Sequence, residues 1–338
     1  MSDQALIGEE PKPDRWVFRA PPTTLSVAHS SAREDVTFSV VVAAYNVADL
    51  IGEALASAFA QTSPAHEVIV VDDGSTDDLD TALAPFLGRI KLIRQPNRGP
   101  GAARNAAVEA ATGEFVVILD ADDVDHPRRI EALGALARER PDLDVLTTDA
   151  DLVDEGRVLR RYYTTSHTFE VDDQRRAILQ RNWIFNPAMR RERHIEVGGY
   201  DTTLWRAQDW ECCIRLLLSG SRVGLVDSAL VQYRERPGRL TGARIPLLEA
   251  RVRTLEKTRH HPALTHAERR VLDDSLRRAR QRLAAESRRR GSAAEARSAA
   301  MAIARDRGST SGARMRASLT ALAPRVARCL DRKRDAPA

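Results

Sequence analysis

Along its first two thirds the chain switches repeatedly between apolar runs and helical spacing, and these switches predict an alternation of strands and helices. Residues 38–44, Phe-Ser-Val-Val-Val-Ala-Ala, are apolar on both faces, as a strand buried inside a parallel sheet must be. Residues 49–59 follow with Leu50, Ile51, Ala54, Leu55 and Ala58 on one helical stripe, and residues 67–71 supply a second apolar strand. Helical spacing resumes at 81–86, a short strand is expected at 90–94, an alanine-rich helix at 101–111 and another buried strand at 115–119. This β-α-β rhythm predicts an α/β fold with a doubly wound sheet flanked by helices, whose ligands gather beyond the carboxyl ends of the strands. Further on, helices are expected at 128–140 and 208–219 and strands at 144–148 and 222–233, with a mixed region up to about residue 200. Residues 1–35, with four prolines and one brief aromatic stretch, read as a loose arm. From residue 245 the pattern is helical and rich in Arg and Ala.

Composition narrows the class. A chain of 338 residues that is 43% apolar and 30% charged can bury a core, which excludes collagen, a disulfide scaffold and a wholly disordered chain. Cys212 and Cys213 are adjacent and Cys329 stands alone, so neither a disulfide framework nor a zinc set is expected, only buried thiols. No apolar run reaches membrane-span length and the N-terminus lacks a secretory pattern, so the expectation is a cytoplasmic protein. The net charge of +4 conceals a division, because residues 242–338 carry 24 Lys and Arg against 10 Asp and Glu. The body is therefore acidic and the tail basic. Leu272, Leu276 and Leu283 form a narrow apolar strip in that tail beside Arg277, Arg278, Arg280, Arg282 and Arg288 to Arg290. Two readings stand: helices packed on the body, or peripheral attachment to an anionic inner membrane leaflet at about 1 kcal/mol per basic residue. Nucleic acid is not expected, because the tail has no aromatic residue for stacking.

Candidate chemistry falls at strand ends. Asp120, Asp122 and Asp123 directly follow an apolar strand, and carboxylates about 4 Å apart repel by roughly 4 kcal/mol at an effective dielectric near 20 unless a cation intervenes. Strand-like alternation would point Asp120 and Asp122 the same way, offering hard oxygen ligands to Mg²⁺ or Mn²⁺; an acidic turn capping the next helix is the alternative. Asp72-Asp73-Gly74-Ser75 ends the second strand, where Asp73 can accept hydrogen bonds from a base or ribose, or the turn can simply cap a helix. After the first strand, Tyr45 offers an aromatic platform or plain packing.

Four motifs in this order, Val-Val-Val-Ala-Ala-Tyr-Asn, Val-Asp-Asp-Gly-Ser-Thr-Asp, Asn97-Arg98-Gly99-Pro100-Gly101-Ala102-Ala103-Arg104-Asn105 and Leu-Asp-Ala-Asp-Asp, resemble family 2 glycosyltransferases of the GT-A fold. Gly198-Gly199-Tyr200-Asp201 and Gln208-Asp209-Trp210 resemble two later elements of that family, so the likeness spans residues 36–241. The resemblance implies a Rossmann-like mixed sheet with a nucleotide-sugar half at 36–123, an acceptor half at 124–241 and a C-terminal helical extension at 242–338. It further implies an inverting enzyme that moves a sugar from a nucleotide-diphosphate donor, a UDP-sugar, to a hydroxyl on a glycan, lipid-linked or other acceptor, in bacterial cell-surface polysaccharide or glycoconjugate synthesis. By the same resemblance Tyr45 packs near the base, Asp73 binds it, Ala43 gives backbone contacts, and Asp122 ligates Mn²⁺ or Mg²⁺. Asp120 is turned to ribose or the metal's coordination sphere, and Asp209 is the catalytic base. Arg104 is left open between the nucleotide and helix packing.

Two positions depart from the family pattern. Gln208 stands where many relatives have Glu, leaving Asp209 without a neighbouring carboxylate. Arg236 stands where a histidine helps to hold metal or diphosphate; arginine cannot ligate a metal, yet it can clamp phosphate oxygens, so Arg236 is expected on the diphosphate. Acceptor choice is expected to fall between Asp123 and Asp209, including Arg160-Arg161-Tyr162-Tyr163 and Asn182-Trp183-Ile184-Phe185-Asn186, whose aromatic rings either stack on sugar or fill the core. A nucleotidyltransferase would carry a glycine- and lysine-rich phosphate loop near the first strand, and a non-catalytic nucleotide- or glycan-binding protein would lack the base or metal aspartates.

Overall fold

The computed structural model describes residues 36–154, 156–164, 167–235 and 244–290, with isolated helical positions between 300 and 318. The expected arm at 1–35 and Arg236 lie outside them. The first half runs β1 (Phe38–Ala44), α1 (Ile51–Phe59), β2 (Glu67–Asp72), α2 (Leu79–Leu83), β3 (Lys91–Arg94), α3 (Pro100–Ala110) and β4 (Phe115–Ile118). It continues with β5 (Val124–Asp125), α4 (Arg129–Glu139), β6 (Val145–Asp154), β7 (Arg157–Arg161), α5 (Gln174–Ile178), β8 (Ala188–Arg190) and α6 (Arg191–Glu196). Then come α7 (Gln208–Leu218), β9 (Val223–Arg234), α8 (Arg244–Thr258) and α9 (His266–Arg290).

One sheet in the order β3-β2-β1-β4-β8-β6-β9-β5 organises the molecule, with β7 pairing β6 at the side. The first four strands in space are parallel, β8 runs antiparallel to both β4 and β6, and β6 and β9 are parallel. Strand periodicity divides the core between two faces. Val40, Val42, Val68, Val70, Phe115 and Val117 pack under α1, α2 and α4, whereas Val41, Ile69, Val71, Val116 and Ile118 pack under α3 and α7. Each central strand therefore buries both faces, and its sequence is continuously apolar.

The strand expected at 144–148 extends to Asp154, because the buried Asp149 finds donors in the Ala150 and Tyr163 amides and Arg161 Nε at 2.7, 3.0 and 2.7 Å. Polar residues in the run hid its continuation. The basic C-terminal helices pack on the body: Leu255, Leu264, Leu272 and Leu276 enter the same core as α3 and α7, and Leu283 joins Ala284 and Ala300 against Ile245, Leu248 and Val252. Arg175 on α5 binds Glu268 on α9 at 2.7 Å, which also ties the extension to the body. Among the described residues no helix is long and apolar enough to cross a membrane.

Candidate active site

Parallel strands β1, β2 and β4 end at one edge, and the loops that leave them are sewn together by side chains. Asn46, at φ 51°, accepts the Thr76 amide at 2.8 Å, the Asn46 amide donates to Ser75 Oγ at 3.1 Å, and the Ala48 amide donates to Asp77 at 2.8 Å. Asp72 closes its own turn by accepting the Ser75 amide at 2.8 Å. Asp73 is buried and accepts three hydrogen bonds, from Gln95 Nε2 at 2.6 Å and the Arg98 and Gly99 amides at 2.9 and 2.8 Å. It thus anchors the loop that leads into α3. That loop requires glycine twice: Gly74 has φ +78° with Asn97 N only 2.7 Å from a hypothetical Cβ, and Gly99 has φ +87° beneath the Trp205 ring. Tyr45 and Trp205 stand half-exposed at this edge, and Ala43 sits at the end of β1.

The acidic segment after β4 is built differently from the sequence expectation. Strand pairing stops at Ile118, and residues 120–123 turn tightly, with the Asp123 amide donating to Asp120 O at 3.0 Å. The turn, not strand alternation, gathers the carboxylates: one oxygen from each of Asp120, Asp122 and Asp123 lies within 4.8 Å of the others. Asp123, expected in the acidic cluster but not among the ion's ligands, is fully buried and accepts Asn186 Nδ2 at 3.3 Å and the Arg234 amide at 3.2 Å. Three hard oxygen donors this close, with Asp120 and Asp122 partly open to solvent, match the donor chemistry of Mg²⁺ or Mn²⁺.

Arg104 crosses from α3 to this cluster and donates from Nη2 to Asp120 at 2.6 Å, its guanidinium 5.7 Å from the Tyr200 ring centre. Burial works against its charge, but Asp120, with Tyr200 and Asp209, holds Arg104 above its ordinary range. Arg104 therefore links the acidic turn electrostatically to Asp209. Asp209 is exposed in the first turn of α7, which opens from Ala207 in a left-handed conformation at φ 57°. Its Oδ2 accepts Asn182 Nδ2 at 2.9 Å, leaving Oδ1 for another donor. Gln208 is buried beside it, and its Oε1 has no hydrogen-bond partner. The described non-glycine residues at positive φ are Asn46, Asn186 and Ala207, all three beside functional candidates, where stored backbone strain commonly collects.

Asp73, Asp120 and Asp122 thus fall on loops at one end of the sheet, and Asp209, in the first turn of α7, lies within electrostatic range of Arg104, which binds Asp120. Trp183 is fully buried, its ring edge-on to Phe169 at 5.0 Å, so of the two readings for this tryptophan the structure selects core packing. Tyr162 lies against Tyr163, His167 and Phe185 at 5.1, 4.7 and 4.5 Å between ring centres, within electrostatic reach of Asp209. Asn182 opens a segment expected to choose the acceptor, but nothing in the sequence assigned it the hydrogen bond to Asp209.

Comparison with known proteins bears on the family and the fold. The profile of Glycosyl transferase family 2 matches residues 39–198. An uncharacterized glycosyltransferase of Nostoc is 34% identical over 208 residues, which cover 58% of this chain and 64% of that protein. Succinoglycan biosynthesis protein ExoO of Rhizobium meliloti is 31% identical over 232 residues, 61% of this chain and 62% of that protein. The chain therefore spans about three fifths of the length of these relatives. Among solved structures, S. aureus TarS 1-349 in complex with UDP-GlcNAc aligns at a TM-score of 0.65 and 23% identity over 88% of this chain and 92% of that one. The mannosyltransferase PcManGT from Pyrobaculum calidifontis in complex with GDP-Man and Mn²⁺ aligns at 0.54 and 21% identity, covering 89% and 88%. These two likenesses establish the GT-A fold.

Proposed function

The chain belongs to glycosyl transferase family 2, and from that premise we propose that it transfers a sugar from a nucleotide-diphosphate donor, a UDP-sugar, to a hydroxyl acceptor with inversion at the anomeric carbon. The observation that carries this reading is the grouping of Asp120, Asp122 and Asp123 at the end of β4, where Arg104 binds Asp120. In this reading Asp122, with Asp120 and Asp123, holds Mn²⁺ or Mg²⁺. The ion, when bound, supplies charge neutralisation for the donor's diphosphate. Tyr45 and the loop anchored by Asp73 receive the base, with Ala43 lending backbone contacts, and Arg236 is assigned to the diphosphate. Arg104 holds Asp120 in place.

Asp209 is the general base. Its free Oδ1 takes the proton of the acceptor hydroxyl as that oxygen attacks the anomeric carbon; the bond to the diphosphate breaks on the opposite face, and one displacement inverts the centre. Asn182 fixes the carboxylate for this role by occupying Oδ2. The likeness to succinoglycan biosynthesis protein ExoO supports a place in polysaccharide synthesis, and the proposed setting is the cytoplasm or the inner face of the cell membrane. The direct test is slow donor hydrolysis, measured for UDP-, GDP- and dTDP-sugars with and without Mn²⁺. The reading predicts Mn²⁺-dependent hydrolysis of a UDP-sugar. Hydrolysis confined to another nucleotide would overturn the donor, and none with any donor would overturn the enzyme.

A further inference from the structure

The segment from Tyr200 to Gln208 crosses the N-terminal end of α3 and is fastened there at several points. Asn105 Nδ2 donates to Tyr200 O at 2.8 Å, and Asn105 Oδ1 accepts the Tyr200 amide at 2.7 Å. Gly101 makes room for the crossing: a Cβ on it would lie 3.4 Å from Tyr200 Cβ, 3.5 Å from Asp201 O and 3.6 Å from Gln208 Cγ. Asp201 Oδ1 accepts the Thr203 amide and hydroxyl at 2.9 and 2.7 Å, and Lys257 on α8 pairs with Oδ2. Leu204 is turned inward at 4% exposure, whereas its neighbour Trp205 is 52% exposed. A half-exposed indole is thus carried on a segment that both α3 and α8 hold in place.

The ring rests on the loop that Asp73 anchors. A Cβ on Gly99 would meet Trp205 Cδ2, Cε2 and Cε3 at 3.4, 3.5 and 3.6 Å, so the six-membered ring of the indole lies against the Gly99 backbone. The Gly99 amide donates to Asp73 Oδ2 at 2.8 Å, and the Arg98 amide donates to Asp73 Oδ1 at 2.9 Å. Trp205 is therefore one backbone residue removed from the carboxylate assigned to the donor's base. Covering a glycine requires no aromatic ring, since an aliphatic side chain excludes water equally well. What the indole adds is a flat, rigid π-surface presented at little conformational cost, and such a surface stacks on the face of any nucleobase.

We propose that Trp205 is a wall of the donor pocket, its open indole surface stacking on the nucleobase while the Asp73 loop backs the ring. Trp205 is then an aromatic contact of the base in addition to Tyr45. The proposal deepens the glycosyltransferase reading and rests on its assignment of the Asp73 turn to the donor nucleotide. The segment that carries Trp205 leads through Ala207, in its left-handed conformation, directly into Asp209, so the donor wall and the proposed base share one support.

Of the four tryptophans, Trp183 and Trp210 are 0% and 4% exposed, so in a Trp16→Phe background acrylamide quenching of fluorescence reports on Trp205. The full-length protein is titrated with UDP and Mn²⁺ by calorimetry, and its quenching is measured with and without saturating UDP. The expected result is that UDP cuts the quenching roughly twofold, that Trp205→Leu weakens UDP binding about tenfold, and that Trp205→Phe weakens it less. Leucine keeps Gly99 covered but has no π-face, so UDP affinity equal to wild type in Trp205→Leu would overturn the proposal. Unchanged quenching with UDP bound would also overturn it, and that measurement keeps the native ring, so it decides the matter even if the leucine variant does not fold. Shielding that appears only when UDP-GlcNAc replaces UDP would put the ring against the donor's sugar and overturn the assignment to the base. Failure of wild type to bind UDP in Mn²⁺ would instead overturn the underlying donor reading, so the two failures are distinguishable.

Discussion

The ion pair between Arg129 and Asp125 offers a quantitative test of how the core supports the site. The pair lies directly behind the acidic turn, at 2.6 Å with side chains 0% and 1% exposed. Arg129 also donates to the Asn186 carbonyl and to Ile118 O, and Asn186 in turn donates to Asp123. Replacing Arg129 by Met leaves Asp125 buried without its counter-charge, a change that costs about 3–5 kcal/mol. Set against a typical total stability of about 5–15 kcal/mol, that is a large loss. Replacing both partners with Met and Leu should recover most of it, because no uncompensated charge remains. Burial already pushes the Asp125 carboxyl up, opposed by the attraction of Arg129, and removing Arg129 raises it further. A carboxylate whose folded value exceeds its unfolded value adds stability at low pH and loses it as pH rises through the folded value. The deficit of Arg129→Met should therefore shrink between pH 7 and pH 5. Urea unfolding at both values with linear extrapolation measures this. A deficit under about 1 kcal/mol at pH 7, or one that grows on acidification, would refute the reasoning.

Further outcomes follow from other contacts. Gly74→Ala forces a Cβ to within 2.7 Å of Asn97 N at φ +78°, so it should lower the thermal midpoint by about 2–4 °C or more and weaken UDP binding; an unchanged melting curve would contradict that. Hydrogen bonds from Arg175, and then from Thr265, hold the Glu268 carboxyl down at about 2, so its contribution to docking α9 should persist from neutrality to about pH 5 and fade as pH falls through 4.5 toward 2. Glu268→Gln should remove that acid-dependent part, visible as a flatter stability-against-pH curve in the acid range. Burial pushes the Cys212 thiol up to about 12 and Cys213 well above its ordinary value, so a Cys329→Ser variant should show no rapid reaction with a thiol reagent until it is unfolded. Fast labelling of the folded variant would show that α7 opens.

Much of this architecture was legible because buried parallel strands leave no choice of face. Residues 38–44, 67–71 and 115–119 are apolar throughout, and all three are central strands. The short strands β5, β7 and β8 carry no such signature: β8 has three residues, and β7 is exposed along its whole length. Clustered acids at strand ends could be found in one dimension, since each turn immediately follows its strand. The tie between Asn182 and Asp209 could not, because the two residues meet only through the folded path of the chain, although the segment of Asn182 was expected to choose the acceptor. Strand alternation was the wrong reason for expecting Asp120 and Asp122 to share a direction; a turn closed by Asp123 N on Asp120 O brings them together. The C-terminal arginines dominated the reading of the tail, and the leucines between them determined its packing, as Leu255, Leu272 and Leu276 lie in the main core.

The central claim is that the carboxylates after β4 seat a divalent ion against a nucleotide diphosphate while Asp209 acts only on the acceptor. Calorimetric titration of UDP with and without Mn²⁺ into wild type, Asp122→Ala and Asp209→Asn tests it most directly. The account predicts Mn²⁺-dependent affinity in wild type and in Asp209→Asn, and its disappearance in Asp122→Ala. Undiminished Mn²⁺-dependent binding by Asp122→Ala would contradict it.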